Sequence, residues 1–333
     1  MGIRRGRRKF PPRLGLQTLS RSNDVDQSRL PNCHNPHLLL AAFDPLCAPP
    51  YNGFSHRQGQ YTAVTACRLL RAQATGRFLL PSIAGTGSMA VTSPKNLLLR
   101  ALSRADFALL EPHLQAVTLA LKAPLFAPNK PIERVYFLEH GVASIVSDQE
   151  EGRPVEIGIH GREGMSGVPV VLGAHRTPHA SMIQVGDAPA HGIASERLLD
   201  ACAQSPALNK LLLRYAHTLS VQTALTAAAN ATYELPERCA RWLLMCSDRL
   251  EGDRIELTHE FLSMMLAVRR SGVTVTLHEL EETGAIRASR GVITILDRVR
   301  LEEIAGDCYG QAEAEYQRLI APFGGAQAVA NMA

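Results

Sequence analysis

One stretch, from Ile255 to Ile295, most constrains what this 333-residue chain can fold into. Thr258 is a good N-cap residue and predicts the start of a first helix. The apolar face of that helix consists of Phe261, Leu262, Met265 and Leu266. A second helix is predicted from near Arg269 to Gly284, because glycine is common just after a helix end. The segment around Ser289-Arg290-Gly291, flanked by Ile286 and Val292–Ile295, then predicts a β-hairpin.

Helix, tight turn, helix and hairpin wing form the layout that places the second helix in the major groove of DNA. Short polar and basic side chains suit contacts with base edges and phosphates. The predicted DNA-binding residues of this kind are Thr258, His259, Arg269, Arg270, Ser271, Thr274 and Arg290. Arg269 and Arg270 are expected to contribute most. The alternative is an ordinary helical hairpin with solvated arginines, but Arg290 at the hairpin tip is well placed for a phosphate and favours DNA.

The segment LTHEFLSMMLAVRRSGVTVTLHELEETGAI, followed by the wing RGVITI, resembles the helix-turn-helix of the Crp/Fnr transcription regulators. The resemblance extends upstream to about Asn96. It implies an α+β fold with an N-terminal double-stranded, jelly-roll-like β-roll sensor domain, a long dimerisation helix and a C-terminal winged helix-turn-helix. It also implies a cytoplasmic homodimer whose partners are double-stranded DNA, RNA polymerase and an unidentified small-molecule effector.

The second helix departs from the Crp/Fnr pattern of an Arg-Glu…Arg set. Arg270 keeps the first arginine, but Ser271 replaces the glutamate and Val275 replaces the second arginine. Each such contact discriminates between bases by about 1–3 kcal/mol. The resemblance therefore implies the fold and DNA binding, whereas the operator sequence does not carry over.

Composition changes sharply along the chain. Residues 1–88 hold 12 Lys and Arg against 3 Asp and Glu, a net charge of +9, and the remainder has a net charge of −5. Prolines interrupt the first segment and no period is sustained, so 1–90 is predicted to be a disordered basic tail or the product of an upstream start. The predicted parts that follow are a β-roll sensor at 91–200, a dimerisation helix at 201–233, a winged-helix domain at 234–320 and a disordered tail at 321–333.

Short apolar segments separated by glycine turns are typical of a β-sandwich, barrel or roll. Six such segments predict the strands of the sensor: Val117–Leu121, Val135–Leu138, Ala143–Val146, Val155–Ile159, Ser181–Val185 and Ala190–Ile193. Ser195 is the predicted N-cap of a short helix that follows them.

Members of the family that bind cyclic nucleotides carry a glycine–glutamate pair and a downstream arginine. The corresponding stretch here makes up the candidate effector pocket, which comprises Gly164, Ser166, Gly167, Arg176 and Thr177. Ser166 stands where the ribose-binding glutamate would be, and a serine is a poor replacement for that carboxylate. A cyclic nucleotide is therefore disfavoured. The glycines either shape a turn or frame a pocket for another small effector.

A glycine-free helix is predicted from Pro206 to about Thr232. Residues that step by 4 and 3 along it are Leu208, Leu212, Tyr215, Leu219, Gln222, Thr226 and Ala229. This heptad seam suits a parallel coil between two subunits. The alternative is a helix packed against its own roll, which needs a similar stripe.

The remaining residue types give no sign of a cofactor, a metal site or an enzyme. The seven cysteines include no CxxC pair, and the wide gaps between Cys33, Cys47 and Cys67 do not fit an iron–sulfur cluster. Scattered histidines favour solvated or core positions over a metal or haem sensor. No nucleophile elbow, phosphate loop or HExxH is present. No run approaches the roughly 18 apolar residues of a membrane helix. The rival function is a cyclic-nucleotide-binding-like module that acts on a protein partner without binding DNA.

Overall fold

The structure is a computed structural model that describes residues 94–147 and 154–324. The predicted tail at 1–90 and residues 325–333 of the predicted C-terminal tail lie outside the described residues. The strands are β1 Gln115–Leu119, β2 Pro124–Phe126, β3 Arg134–Leu138, β4 Val142–Ser147, β5 Val155–His160, β6 Ala180–Val185, β7 Ala188–Ala194, β8 Arg254–Glu256, β9 Ile286–Ser289 and β10 Val292–Ile295. The α-helices are α1 Leu97–Arg100, α2 Arg104–Leu110, α3 Val168–Val171, α4 Ser195–Gln204, α5 Pro206–Thr232, α6 Leu235–Ser247, α7 His259–Met265, α8 Arg270–Glu282, α9 Arg298–Ala305 and α10 Gln311–Leu319.

The described residues form three antiparallel sheets. Strands β1, β7 and β3 form one sheet and strands β2, β6, β4 and β5 a second, while β8, β10 and β9 form the sheet of the C-terminal part. The first two sheets share a core in which Val135, Phe137 and Ile193 from one sheet cluster with Ile183 from the other. Full burial of such a side chain stabilises a fold by roughly 1.5–3 kcal/mol. The predicted β-roll is confirmed, and each of its six predicted strands is present.

The long helix α5 begins where it was predicted, with the Ser205 hydroxyl accepting a hydrogen bond from the Leu208 amide at 3.1 Å. Its predicted seam, however, faces this chain itself. Within the single chain Leu208, Leu212 and Tyr215 are buried in the roll core, and Gln222 accepts a hydrogen bond from the Ile159 amide of β5 at 3.0 Å. Most of the seam therefore packs α5 on its own roll, and the contact between subunits stays a prediction. Heptad spacing could not separate the two because both need an apolar stripe of the same period.

A second core joins the roll to the C-terminal part through α6. The roll contributes Val142, Ile159 and Val185, and α6 contributes Leu243 and Cys246 among others. The same cluster continues into the core of the helix-turn-helix and its wing. The free thiols of Cys239 and Cys246 are buried there and pack as small apolar groups.

Two local features differ from the sequence analysis. Ser195 is the first residue of α4, and Ala194 is the N-cap. The Ser195 hydroxyl donates instead to the carbonyl of Ile132 at 2.6 Å, which ties α4 to the roll. No helix in the described ranges has the length and hydropathy needed to cross a membrane.

Candidate nucleic-acid interface and sensor stretch

The first helix of the pair, α7, begins as the sequence predicts. The Thr258 hydroxyl accepts a hydrogen bond from the Phe261 amide at 3.3 Å, and Leu262 and Met265 are buried. Ala267 in the following turn has a φ of +53°, a left-handed conformation that is uncommon for a residue other than glycine. This conformation reverses the chain within a few residues, so that α8 can begin at Arg270.

The second helix, α8, has one buried face and one exposed face. Val273, Thr276, Leu277 and Leu280 are buried, as the helical period requires. Arg269, Arg270, Ser271 and Thr274 are exposed on the other side, together with Val275, which is 58% exposed. Within the described part of the chain, neither arginine forms an ion pair with a carboxylate. The exposed face therefore offers uncompensated positive charge at the start of the helix.

The structure brings two of the predicted site residues into direct contact. The Thr274 hydroxyl lies 3.3 Å from Nδ1 of His259, so the side chains of α7 and α8 meet on the exposed side. The same hydroxyl lies 3.1 Å from the Arg270 carbonyl, to which it donates. Thr258 is exposed at the start of α7 beside them.

The wing consists of β9 and β10, with Gly291 at a φ of +76° in the turn between them. Arg290 is exposed at its tip. A hydrogen bond of 2.7 Å from the Ala288 amide to Glu281 fixes the wing to α8. The sequence analysis missed Arg254 and Arg287, both exposed, which stand in register on either side of Thr294. Only the pairing of β8 with β10 reveals this row, because β8 (Arg254–Glu256) lies well upstream of the hairpin that begins at Ile286.

The five residues of the candidate effector pocket do not line either of the two cavities described below. Gly164 lies against the ring of Tyr215, whose hydroxyl would stand 2.0 Å from a Cβ added to the glycine. The Ser166 hydroxyl accepts a hydrogen bond from the Tyr136 amide at 2.9 Å. Gly167 has a φ of +70° and approaches Val135. Thr177 is buried in a turn and Arg176 is exposed.

A buried ion pair lies at the start of this stretch. Arg249 is 1% exposed and contacts Glu163 through Nη2 and Nε, each at 2.8 Å from the same carboxylate oxygen. Arg249 also donates to the Met245 carbonyl at 2.6 Å, and Glu163 accepts from the Gly161 amide at 3.0 Å. Burial acts to lower the pKa of Arg249, but Glu163 and the other nearby acids raise it above its ordinary value. The pair connects the sensor to the residues that directly follow α6.

The C-terminal helix α10 covers this ion pair. The Tyr316 hydroxyl donates to the Glu163 carbonyl at 2.6 Å, and the Phe323 ring lies 5.1 Å from the Arg249 guanidinium carbon. Glu313 is buried beside them, where burial and the charge of Asp248 raise its pKa. A cavity among these groups is lined by Tyr215 and Gln222 of α5 as well. No local pattern predicts this cluster, because Glu163 and Arg249 are 86 residues apart.

The histidines do not form a metal site in the residues that the structure describes, where no three His, Cys, Asp or Glu side chains are placed to hold an ion. His160 is buried with neither ring nitrogen hydrogen-bonded. Burial, aided by the charge of Arg249, lowers the pKa of His160 to about 3, so that the ring is neutral.

Residues 237–304, from α6 into α9, match the family model of the Crp-like helix-turn-helix domain. Together with the β-roll, this match supports a DNA-binding transcription regulator of the Crp/Fnr type, and that prediction is confirmed. The global nitrogen regulators of Nostoc sp. and Synechocystis sp. are 25% and 26% identical to the chain over 191 and 192 residues, which are 53% and 54% of this chain and 83% of each relative. The structure of FixK2 from Bradyrhizobium japonicum has the same fold, with a TM-score of 0.50 and 16% identity over 58% of this chain and 98% of that one.

Proposed function

We propose that this chain acts as a homodimer that reads a two-fold DNA operator by placing α8 of each subunit in the major groove. The observation that carries the proposal is the division of α8 into a buried apolar face and an exposed face that begins with two unpaired arginines. Arg269 and Arg270 would contact phosphates and bases, with Ser271 and Thr274 near base edges. Thr258, His259 and Arg290 would contact the backbone.

The wing would add phosphate contacts beyond its tip. Arg254 and Arg287 stand in one cross-strand row with Thr294, and each extra phosphate neutralised by a cation strengthens binding at low salt. These contacts position the protein without reading sequence, whereas the replacement of two family residues by Ser271 and Val275 predicts an operator unlike that of the well-known members.

The dimer contact would use the face of α5 that its own roll leaves uncovered. Leu213, Ser220, Ala224 and Ala227 are exposed on that face, and Leu213 is 40% exposed. The first interval, from Leu213 to Ser220, is one full heptad, and the next two are steps of 4 and 3, as a two-helix coil needs, at positions displaced from the buried seam. A two-fold dimer would then set the two copies of α8 one helical turn of DNA apart.

Signal transfer would run from the sensor to the helix-turn-helix through the hydrogen bonds and the ion pair at the ends of α6. RNA polymerase and an effector complete the set of proposed partners, and the cytoplasm is the proposed location because a bacterial-type regulator meets its DNA there. The effector stretch Gly164–Thr177 stays a prediction.

DNA binding is tested by fluorescence anisotropy on fragments of the protein's own promoter region. Arg270→Ala should weaken binding about 10-fold, in line with the roughly 1–3 kcal/mol that one good base contact contributes. Arg104→Ala, an exposed arginine on α2 without an ion pair, serves as the matched control and should bind as the wild type does. Unchanged affinity of the Arg270 variant would remove that residue from the interface.

The dimer is tested by analytical ultracentrifugation. Ala224→Glu places a charge in the proposed contact and should shift the protein towards a monomer. Ala207→Glu, on an exposed position in the first turn of α5, is the matched control. A dimer that survives the Ala224 change would place the contact elsewhere.

A further inference from the structure

A second cavity lies where the sensor meets the helix-turn-helix, and it is called the hinge cavity here. Strand β5, the end of α5, α6 and the end of α7 enclose it. Its polar lining consists of Glu156, Thr226, Asn230, Arg238, Arg241 and Trp242. The cavity volume is about 20 Å³, counted as the space open to the centre of a water molecule. That space suits water or one small ion and is far below the volume of a nucleotide site.

Among the described residues, neither arginine of the hinge cavity forms an ion pair with a carboxylate. Arg241 is 6% exposed and donates to the Thr226 hydroxyl at 3.1 Å, but it makes no ion pair with any carboxylate among the described residues. Arg238 donates to the Leu266 carbonyl at 2.5 Å, while its Nε is buried without a hydrogen-bond partner. A buried cation without an ion-pair partner is costly, so an anion in the cavity would stabilise the buried guanidinium of Arg241 and could accept a hydrogen bond from Nε of the half-buried Arg238.

The acid in the same lining is already engaged. Glu156 accepts hydrogen bonds from the Ser144 hydroxyl at 2.5 Å and from Trp242 Nε1 at 2.7 Å. Burial raises the pKa of Glu156 to about 7, so that it carries only part of a negative charge near neutral pH. Glu313 also acts on Arg241 from beyond ion-pair distance, but it lies outside the lining and burial raises its pKa as well. The lining itself holds one partly ionised carboxylate for two guanidinium groups. The lining therefore keeps a positive excess, with the exposed amide of Asn230 as a neutral donor at its rim.

We propose that the hinge cavity binds a small oxyanion, an inorganic phosphate or sulfate or the carboxylate head of a small acid, held by Arg238 and Arg241. The walls come from the roll and α5 on one side and from α6 and α7 on the other. An anion that contacts both walls would stabilise the conformation in which the two walls meet relative to conformations in which they are apart. Binding itself needs no DNA, whereas its consequence for the orientation of α8 rests on the proposed function.

The chain has one tryptophan, Trp242, and it lines the hinge cavity, so its fluorescence reports on the occupant directly. The full-length protein is titrated with sodium phosphate, sodium sulfate or sodium acetate, while sodium chloride keeps the ionic strength constant. We expect a saturable change with at least one oxyanion and no such change with chloride alone. A response that is absent, or the same for every salt, would overturn the site.

Two variants assign the response to the arginines. Arg238→Gln should weaken the apparent affinity at least 10-fold, and Arg104→Gln, on the exposed start of α2, is the matched control that should leave it unchanged. Asn230 is exposed at the rim, so Asn230→Asp should leave the fold intact. The change adds a negative charge beside the cavity and should weaken anion binding as strongly. Wild-type affinity in both Arg238→Gln and Asn230→Asp would refute the assignment.

The anisotropy assay on DNA, run with and without the responsive anion, separates this site from the proposed function. A saturable change in Trp242 fluorescence without DNA binding would support the anion site and refute the proposed function. DNA binding without a saturable change in fluorescence would support the proposed function and refute the anion site.

Discussion

Arg249 and Arg241 lie eight residues apart and are both buried, yet their surroundings differ. Arg249 meets a carboxylate at 2.8 Å, a backbone carbonyl and an aromatic ring, with further acids close by. Arg241 has one hydroxyl partner and faces a cavity. The first arrangement neutralises its charge internally and fixes the sensor to the end of α6. In the second, Glu313 and Glu156 act on the guanidinium only from beyond ion-pair distance, so that it stays open to an anion.

The largest effect should come from breaking the Arg249 pair. Glu163→Gln leaves a fully buried guanidinium without its counter-charge, and we expect a loss of about 3–5 kcal/mol in the free energy of unfolding. Urea unfolding followed by circular dichroism measures it. Glu111→Gln, on an exposed surface position, is the control. A loss below about 1 kcal/mol would mean that the buried pair does not hold the two parts together.

The next effect concerns Glu156 and its dependence on pH. Its pKa is raised from 4.5 to about 7 in the folded chain, so the folded state keeps a proton that the unfolded state has lost between these values. Stability should therefore fall as pH rises through this window, by about 3 kcal/mol at most. His160, whose pKa is lowered to about 3, acts in the opposite direction below pH 6.5.

For that reason the measurement is a difference between two proteins. Urea unfolding of the wild type and of Glu156→Gln is compared from pH 4.5 to 8, so that the contribution of His160 cancels. The stability of the wild type relative to the variant should decline with pH and level off above about pH 7. Parallel pH profiles would show that Glu156 titrates normally.

A smaller effect is expected where α10 covers the ion pair. Tyr316→Phe removes the hydroxyl that donates to the Glu163 carbonyl at 2.6 Å and should cost about 1 kcal/mol, the usual net value of such a hydrogen bond. Thermal unfolding measures it. Tyr233→Phe, which lies just past the end of α5, provides the control. A loss equal to that of Glu163→Gln would mean that α10, and not the ion pair, is the main fastening.

The smallest effect should come from Arg241→Met. The change removes a buried cation that forms no ion pair within the described residues and keeps most of the apolar stem. The free energy of unfolding should therefore stay within about 1 kcal/mol of the wild type, on either side. Urea unfolding in phosphate-free and in phosphate buffer gives the comparison. A loss as large as that expected for Glu163→Gln would show that Arg241 is paired as tightly as Arg249. The proposed difference between the surroundings of the two arginines would then be refuted.

Local signals made much of the fold predictable. Ser103 and Thr258 cap their helices because a hydroxyl needs only the amide three residues on, and both are visible in sequence. The short strands of the roll and the two faces of α8 follow from period alone. The buried side of α5 did not, because one stripe fits two packings. Ser195 was misread because its hydroxyl bonds to a carbonyl 63 residues away.

The candidate site residues likewise divide into those that a local sequence pattern predicts and those that depend on tertiary packing. The exposed arginines of α8 and the wing tip could be found from local pattern, and the cross-strand row of Arg254 and Arg287 could not. Glu163 with Arg249, and Glu156 with Trp242, each join residues 86 positions apart. Their chemistry depends on burial, which is set by the packing of the whole chain and leaves no mark in a short window of sequence.

Gly164 and Tyr215 together act as a spacer. Because the glycine carries no side chain, the tyrosine ring can rest directly on the backbone of the roll, and a single methyl group there would collide with three of its atoms. Any volume added at this point must be taken up by moving α5, which is followed along the chain by α6 and the helix-turn-helix. The absence of a side chain at Gly164 thus sets how closely α5 packs on the roll.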